Sequence, residues 1–324
     1  MLRAADVSAA PEMEARAEIR RATQTAFVRS DFVTLNNTAR SYRTAKSRTS
    51  SGLWLLTLFY SGIDDLGDTE GRDAQQRERL FAQLESRTAL WTKQFPDEPV
   101  AHIAHANMLI KHAWAYRGGG VASTVARADW APFYQYIAKA RAYLEANKKV
   151  ASIDPKWYEQ MISIATAQGW ERPAFDSLLA EALEREPLFY QTYFGALNYL
   201  LPKWHGNITE VEAFAQNAVK RTAAIEGGSM YARIYWYASQ SQFDSDLFAE
   251  SRVSWPRMRD GFDDMIKRYP DAWNLNNFAK FACLAEDKAK ARELMPRVSL
   301  EFVSEAWPSS QQSTACLRWA KQPD

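Results

Sequence analysis

Apolar residues between Trp255 and Ala291 fall three and four apart on either side of a single proline-marked turn. Trp255, Met258, Gly261 and Phe262 come before Tyr269-Pro270-Asp271, and Leu275, Phe278, Ala282 and Ala285 come after it. That spacing predicts two amphipathic helices joined as a hairpin, the unit of a helical-repeat protein. A lone hairpin buries only one face, so the pattern requires neighbours of the same kind.

The rest of the chain supplies them. Stripes of helical period occur at Leu80, Leu84, Trp91 and Phe95; at Phe133, Ile137, Ala140 and Leu144; at Val211, Phe214, Ala218, Val219 and Ile225; and at Ala291, Leu294, Met295 and Val298. Strict alternation over a strand's length is hard to find, which predicts an all-α chain of roughly a dozen helices. Prolines at Pro96, Pro155, Pro187 and Pro270 read as helix starts, because a missing N–H costs nothing in the first turn. Lys93 to Asp97 and Lys267 to Asp271 resemble each other, and Pro155 and Pro187 lie close to the ~34-residue tetratricopeptide period, while the other intervals are irregular. The expected architecture is an irregular tetratricopeptide-like stack of antiparallel helical hairpins, an α-α superhelix. Residues 1–50 read as an N-terminal helical arm and basic connector, and 51–324 as one helical-repeat domain.

With 324 residues, 47% hydrophobic and 24% charged, the chain is too apolar and aromatic to be disordered. Its 40 Lys and Arg balance 39 Asp and Glu, so no overall field favours nucleic acid. The one basic run, Arg40, Arg43, Lys46 and Arg48, reads as a solvated connector. Gly52 to Ile63 is the greasiest segment and falls short of the roughly 20 residues a spanning helix needs, so it reads as a buried helix without membrane insertion. The opening Met1-Leu2-Arg3-Ala4-Ala5-Asp6 carries no apolar leader core; the chain is cytoplasmic, or a mature form with an initiator Met replacing a removed leader.

Catalytic signatures are missing. There is no GxSxG elbow, no GxxxxGK[ST] phosphate loop and no dinucleotide GxGxxG, and nothing calls for a cofactor. His102, His105 and His112 share one helical face and form the metal alternative, yet no HExxH pattern or neighbouring carboxylate completes it, and packing is the stronger reading. Asp64, Asp65, Asp68, Glu70 and Asp73 lack EF-hand spacing and read as a solvated loop. An enzyme of unfamiliar type, with Arg117, His205, Asp154 or Glu250 gathered in a pocket around His205, is the catalytic alternative. Cys283 and Cys316 are the only cysteines. They read either as a disulfide tying the last helix to the preceding hairpin, which would imply an oxidising compartment, or as two buried thiols.

Aromatics are abundant, with 12 Trp, 14 Tyr and 16 Phe. Most belong in the gaps between helices. Trp204, His205, Tyr231, Arg233, Tyr235 and Trp236 are the candidate exposed set, the mixture a partner-binding face uses.

Several segments together resemble the bacterial domain of unknown function 4034 family over most of the chain from about residue 20. They are Ser51-Gly52-Leu53-Trp54, Trp91 through Pro96 with Ala101-His102, Trp114-Ala115-Tyr116-Arg117-Gly118, Gln168-Gly169-Trp170, Tyr199 to Trp204 with Gly206, Tyr231-Ala232-Arg233, Glu250 through Trp255, and Asn277 through Cys283. The resemblance implies a tetratricopeptide-like helical protein, often exported, and brings no catalytic residues with it. The expected function is therefore a non-catalytic helical-repeat protein that binds a protein or peptide through an aromatic-lined concave surface in the periplasm, including the neutralising or escorting of a secreted effector.

Overall fold

The computed structural model describes residues 11–323. Among them the regular structure is helical and no strand occurs, so the all-α expectation holds. The reading of Met1 to Asp6 lies outside the described residues. No helix among those described is long and apolar enough to cross a membrane.

Some helices begin where a side chain satisfies a first-turn N–H group, others at a proline, and the positions differ in detail from the proline reading. Helices start at Pro99, Lys156, Tyr190 and Ala272, so Pro96, Pro187 and Pro270 occupy the preceding turns. Proline takes the first helical turn instead at Pro99, Pro173 and Pro256. Asp73 and Gln76 form a reciprocal capping box, and Asp271, Asp287 and Ser309 each accept a backbone N–H at their own helix start. The two similar sequence turns also share a conformation. Phe95 closes one helix at φ −134° and ψ 65°, and Tyr269 closes another at φ −127° and ψ 76°.

The chain divides into two compact units. One comprises Glu18–Ser47 and Trp54–Tyr199. Its centre is the helix Pro99–Arg117, which is buried around most of its circumference and packs against Ala74–Gln94, Trp130–Ala146, Leu55–Asp64 and Lys156–Gln168. A helix covered on all sides needs no apolar stripe, which is why this segment shows little periodicity. Phe32 stacks on Trp91 at 5.2 Å, and the Trp91 indole N–H donates to Asn36 Oδ1 at 2.9 Å. Beside these rings lies a polar core. The fully buried Asp154 carboxylate accepts from Arg43 at 3.2 Å and from the Tyr60 hydroxyl at 2.9 Å, while Lys156 Nζ donates to Glu159 at 2.8 Å. Burial pushes the Asp154 carboxyl above its ordinary range against the pull of Arg43, and it pushes the Tyr60 hydroxyl up strongly.

The other unit comprises residues 11–17, Arg48–Leu53 and 200–323. Its helices Ile208–Glu226, Ser229–Ala238, Trp255–Arg268, Ala272–Leu284, Lys288–Leu300 and Ser310–Lys321 largely pack against their sequence neighbours. A Cβ on Gly261 would lie 2.6 Å from the Gly228 carbonyl, so two backbones meet there without a side chain between them. Glu12 gathers the Arg48–Leu53 segment. Its carboxylate accepts from Arg16, Thr49, Ser50 and Ser51, and although burial would raise its pKa, Ser51, Arg16 and Thr49 hold it below the usual range.

The basic run is solvated only in part: Arg40 and Lys46 are exposed, while Arg43 and Arg48 are drawn inward. Arg43 pairs with Asp154 in the first unit, and in the second Arg48 Nη1 lies 3.8 Å from Glu226 and donates to the Gly52 carbonyl at 2.9 Å. Their acidic partners come from far along the chain, so a local count of charges left them unbalanced.

Candidate functional site

Four of the six residues expected on an exposed face are inside the C-terminal unit. Tyr231, Arg233, Tyr235 and Trp236 are buried, because the helix Ser229–Ala238 is covered on nearly every side. Both tyrosine hydroxyls donate to the same Glu212 oxygen, at 2.8 and 2.6 Å, which ties this helix to Ile208–Glu226. Burial, with Glu212 as acceptor, pushes Tyr231 up to about 12 and Tyr235 beyond it. Arg233 donates to the Ser51 carbonyl at 3.1 Å and lies over the Tyr269 ring. Trp204 is half-buried and His205 exposed, in a loop where Lys203 donates to Ser241 O and its backbone N–H to Gln242 Oε1.

The three imidazoles do not converge. His102 contacts Tyr143 Oη and Pro96 O, His105 contacts Thr88 Oγ1, and His112 sits between Glu85 and Glu78. No cluster of three or more His, Cys, Asp or Glu able to hold a metal occurs among the described residues. In the acidic segment Asp64 accepts from Asn107, Asp65 faces Arg20 and Asp73 caps its helix, while Asp65, Asp68, Glu70 and Asp73 are exposed, as expected of a solvated loop. Among the residues of the catalytic alternative, Arg117 lies over Trp114 and Trp130 and Asp154 is spent on Arg43 and Tyr60, whereas His205 and Glu250 are exposed and line no part of the pocket described next.

That pocket lies wholly within the C-terminal unit and has a volume of about 550 Å³. It is assembled from Ser239, Gln240, Asp244 and Ser245, which follow the helix Ser229–Ala238, the helix Ala272–Leu284, the turn at Ser304–Ala306 and the helix Ser310–Lys321. Trp273, Trp307 and Trp319 wall it together with Phe281, Leu284 and Pro308, and most of the remaining lining is polar. Cys283 and Cys316, which the structure bonds as a disulfide with Cα atoms 5.8 Å apart, form part of the same wall.

Lys280 supplies the charge. Its Nζ donates to Asn277 Oδ1 at 2.9 Å and lies 4.9 Å from the centre of the Phe281 ring and 5.9 Å from that of Trp236. No carboxylate lies within ion-pair distance of it among the described residues. Burial pulls its pKa down to about 8, and Asp244 only partly offsets this. Asp244, Glu286 and Glu305 also line the pocket, as exposed side chains at its rim.

The backbone is unusual at this rim. Ser239–Phe243 widens into a π-helix, and Asp244 follows at φ +44°, a conformation that favours glycine. Such features cost free energy and concentrate at ligand sites. Sequence reasoning placed the two cysteines of this site and missed Trp273, Lys280, Trp307 and Trp319. The available signal was the C-terminal concentration of Trp273, Trp307 and Trp319 around the cysteines. Comparison of the chain with family models, with curated proteins and with solved structures finds no match.

Proposed function

We propose that this is a non-catalytic binding protein of the bacterial cell envelope, with its ligand seated in the pocket walled by Trp273, Trp307 and Trp319. The observation that carries the reading is an uncompensated lysine set among aromatic rings in a cavity of about 550 Å³, within the 300–1,000 Å³ range of ligand sites. A protein or peptide partner would use the same seat by inserting an apolar group, because Tyr231, Arg233, Tyr235 and Trp236 are not presented outward. The envelope location is supported by the bonded cysteine pair, since disulfides persist in oxidising compartments, and by the resemblance to the domain of unknown function 4034 family.

The test is to purify the protein under native conditions, denature it, and search the extract by mass spectrometry for a molecule or peptide that co-purifies stoichiometrically. It should be present with the unaltered chain and absent from a folded Trp273→Ala, Trp319→Ala variant. Equal recovery from both would place the binding elsewhere and overturn the reading.

A further inference from the structure

We propose that the pocket binds a monocarboxylate with an apolar body, its carboxylate paired with Lys280 and its body held between Trp273, Trp307 and Trp319. This rests on the binding reading above and specifies the chemistry of the ligand.

The argument starts from an unbalanced charge. Lys280 is half-buried, and an ammonium drawn partly out of water is ordinarily matched by a carboxylate, yet its only polar contact among the described residues is the neutral Asn277 amide oxygen. Asn277 is itself fixed, because its Nδ2 donates to the Trp273 carbonyl at 2.9 Å. Lysine and asparagine are therefore held from one helix in a defined relation, with the remaining ammonium protons free for an incoming anion. A carboxylate arriving there makes a charge-assisted hydrogen bond in surroundings of low polarity, where such bonds are strongest.

The rest of the lining excludes other classes. Only one cation is offered, so a phosphate or other dianion would retain an uncompensated charge. Asp244, Glu286 and Glu305 line the same pocket as exposed carboxylates, so a second anionic group on the ligand would meet like charge with no further cation to offset it. A cationic ligand would suit the rim but leave Lys280 as unbalanced as before. The Trp, Phe and Leu surfaces demand an apolar body, which they desolvate on binding. One negative charge paired with Lys280 and an uncharged apolar remainder meet all of these conditions.

The probes are octanoate, octanamide, suberate and octyltrimethylammonium, titrated into the oxidised full-length protein at pH 7 with calorimetry and tryptophan fluorescence as readouts. Octanoate is expected to bind at least about tenfold more tightly than octanamide or suberate, as a charge-assisted hydrogen bond implies. Lys280→Met should reduce octanoate to the octanamide level without weakening octanamide, and Lys280→Arg, which keeps the charge, should restore a preference for octanoate. Circular dichroism establishes that both variants are folded. Equal binding of octanoate and octanamide, tightest binding of octyltrimethylammonium, or an unaltered octanoate affinity in Lys280→Met would overturn the carboxylate assignment while leaving an apolar binding pocket intact. If none of the four compounds binds, this inference fails, and the co-purification experiment decides the binding reading separately.

Discussion

Cys283 and Cys316, 33 positions apart in sequence, join the helix Ala272–Leu284 to the terminal helix Ser310–Lys321. The terminal helix has few other anchors, burying only Ser313, Cys316 and Ala320, and Arg292 donates to the Ala320 carbonyl at 2.8 Å. A cross-link over a loop of this length stabilises by about 3–4 kcal/mol, chiefly by restricting the unfolded chain. Reduction, or Cys283→Ala with Cys316→Ala, should lower the melting temperature by several degrees. Amide exchange should quicken first in 310–321, and an unchanged exchange pattern there would refute this account.

Gly52 lies at φ +90°, and a Cβ placed on it would sit 2.8 Å from Tyr269 Cδ2 and 3.0 Å from Arg233 Nη2. Gly52→Ala therefore combines backbone strain with a clash inside the segment that Glu12 organises, at a cost of about 2–4 kcal/mol. Urea denaturation should show this loss. Gly71→Ala is the control: it also has positive φ, +72°, but nothing lies within 4 Å of its Cβ, so it should cost less than half as much. Equal losses would mean that packing around Gly52 is not tight.

Helical character was legible wherever one face is dry and the other wet: Phe133, Ile137, Ala140 and Leu144 are all buried at the expected spacing. The failures share one cause. Ser229–Ala238 is apolar nearly all round, so its periodicity could not say which side faces water, and Tyr231 and Trp236 were placed outward. The Arg43 to Asp154 pair spans 111 positions, and no local charge count reveals it. The pocket has the same character, joining Ser239, Lys280, Trp307 and Trp319 from four separate segments. Cys283 and Cys316 could be named in advance because they are the only two thiols in the chain.

Asp154 is the keystone of its unit's polar core. Its carboxylate faces Arg43 and Tyr60, and it also accepts the Lys156 backbone N–H at 3.0 Å. Asp154→Ala strands a half-buried guanidinium and a buried hydroxyl together; removing one member of a fully buried pair costs about 3–5 kcal/mol, and the loss here should approach the lower end of that range. Asp154→Asn keeps one oxygen to accept the Lys156 backbone N–H and turns its amide N–H toward the Tyr60 hydroxyl oxygen, losing the charge but not the volume, so its loss should be smaller. The comparison is made by urea denaturation of both variants, and an Asn variant as damaged as the Ala variant would contradict the assigned role.

Lys280 offers a stability measurement independent of any ligand. Its pKa is about 8 in the folded chain, depressed mainly by burial, against 10.5 for the free side chain, with Asp244 the one charge that opposes the shift. Below about pH 8 the lysine is charged in both states and the folded state bears the full desolvation penalty, at most about 3 kcal/mol. Between pH 8 and 10.5 the unfolded chain binds more protons, so this contribution turns in favour of folding as pH rises, and above 10.5 the penalty is gone. Lys280→Met should therefore stabilise the ligand-free protein at pH 7, with the advantage shrinking steadily toward pH 10.5. The check is the difference in unfolding free energy between the two proteins at several pH values. A difference independent of pH would show that the ammonium is fully hydrated and that its aromatic surroundings impose no cost on it.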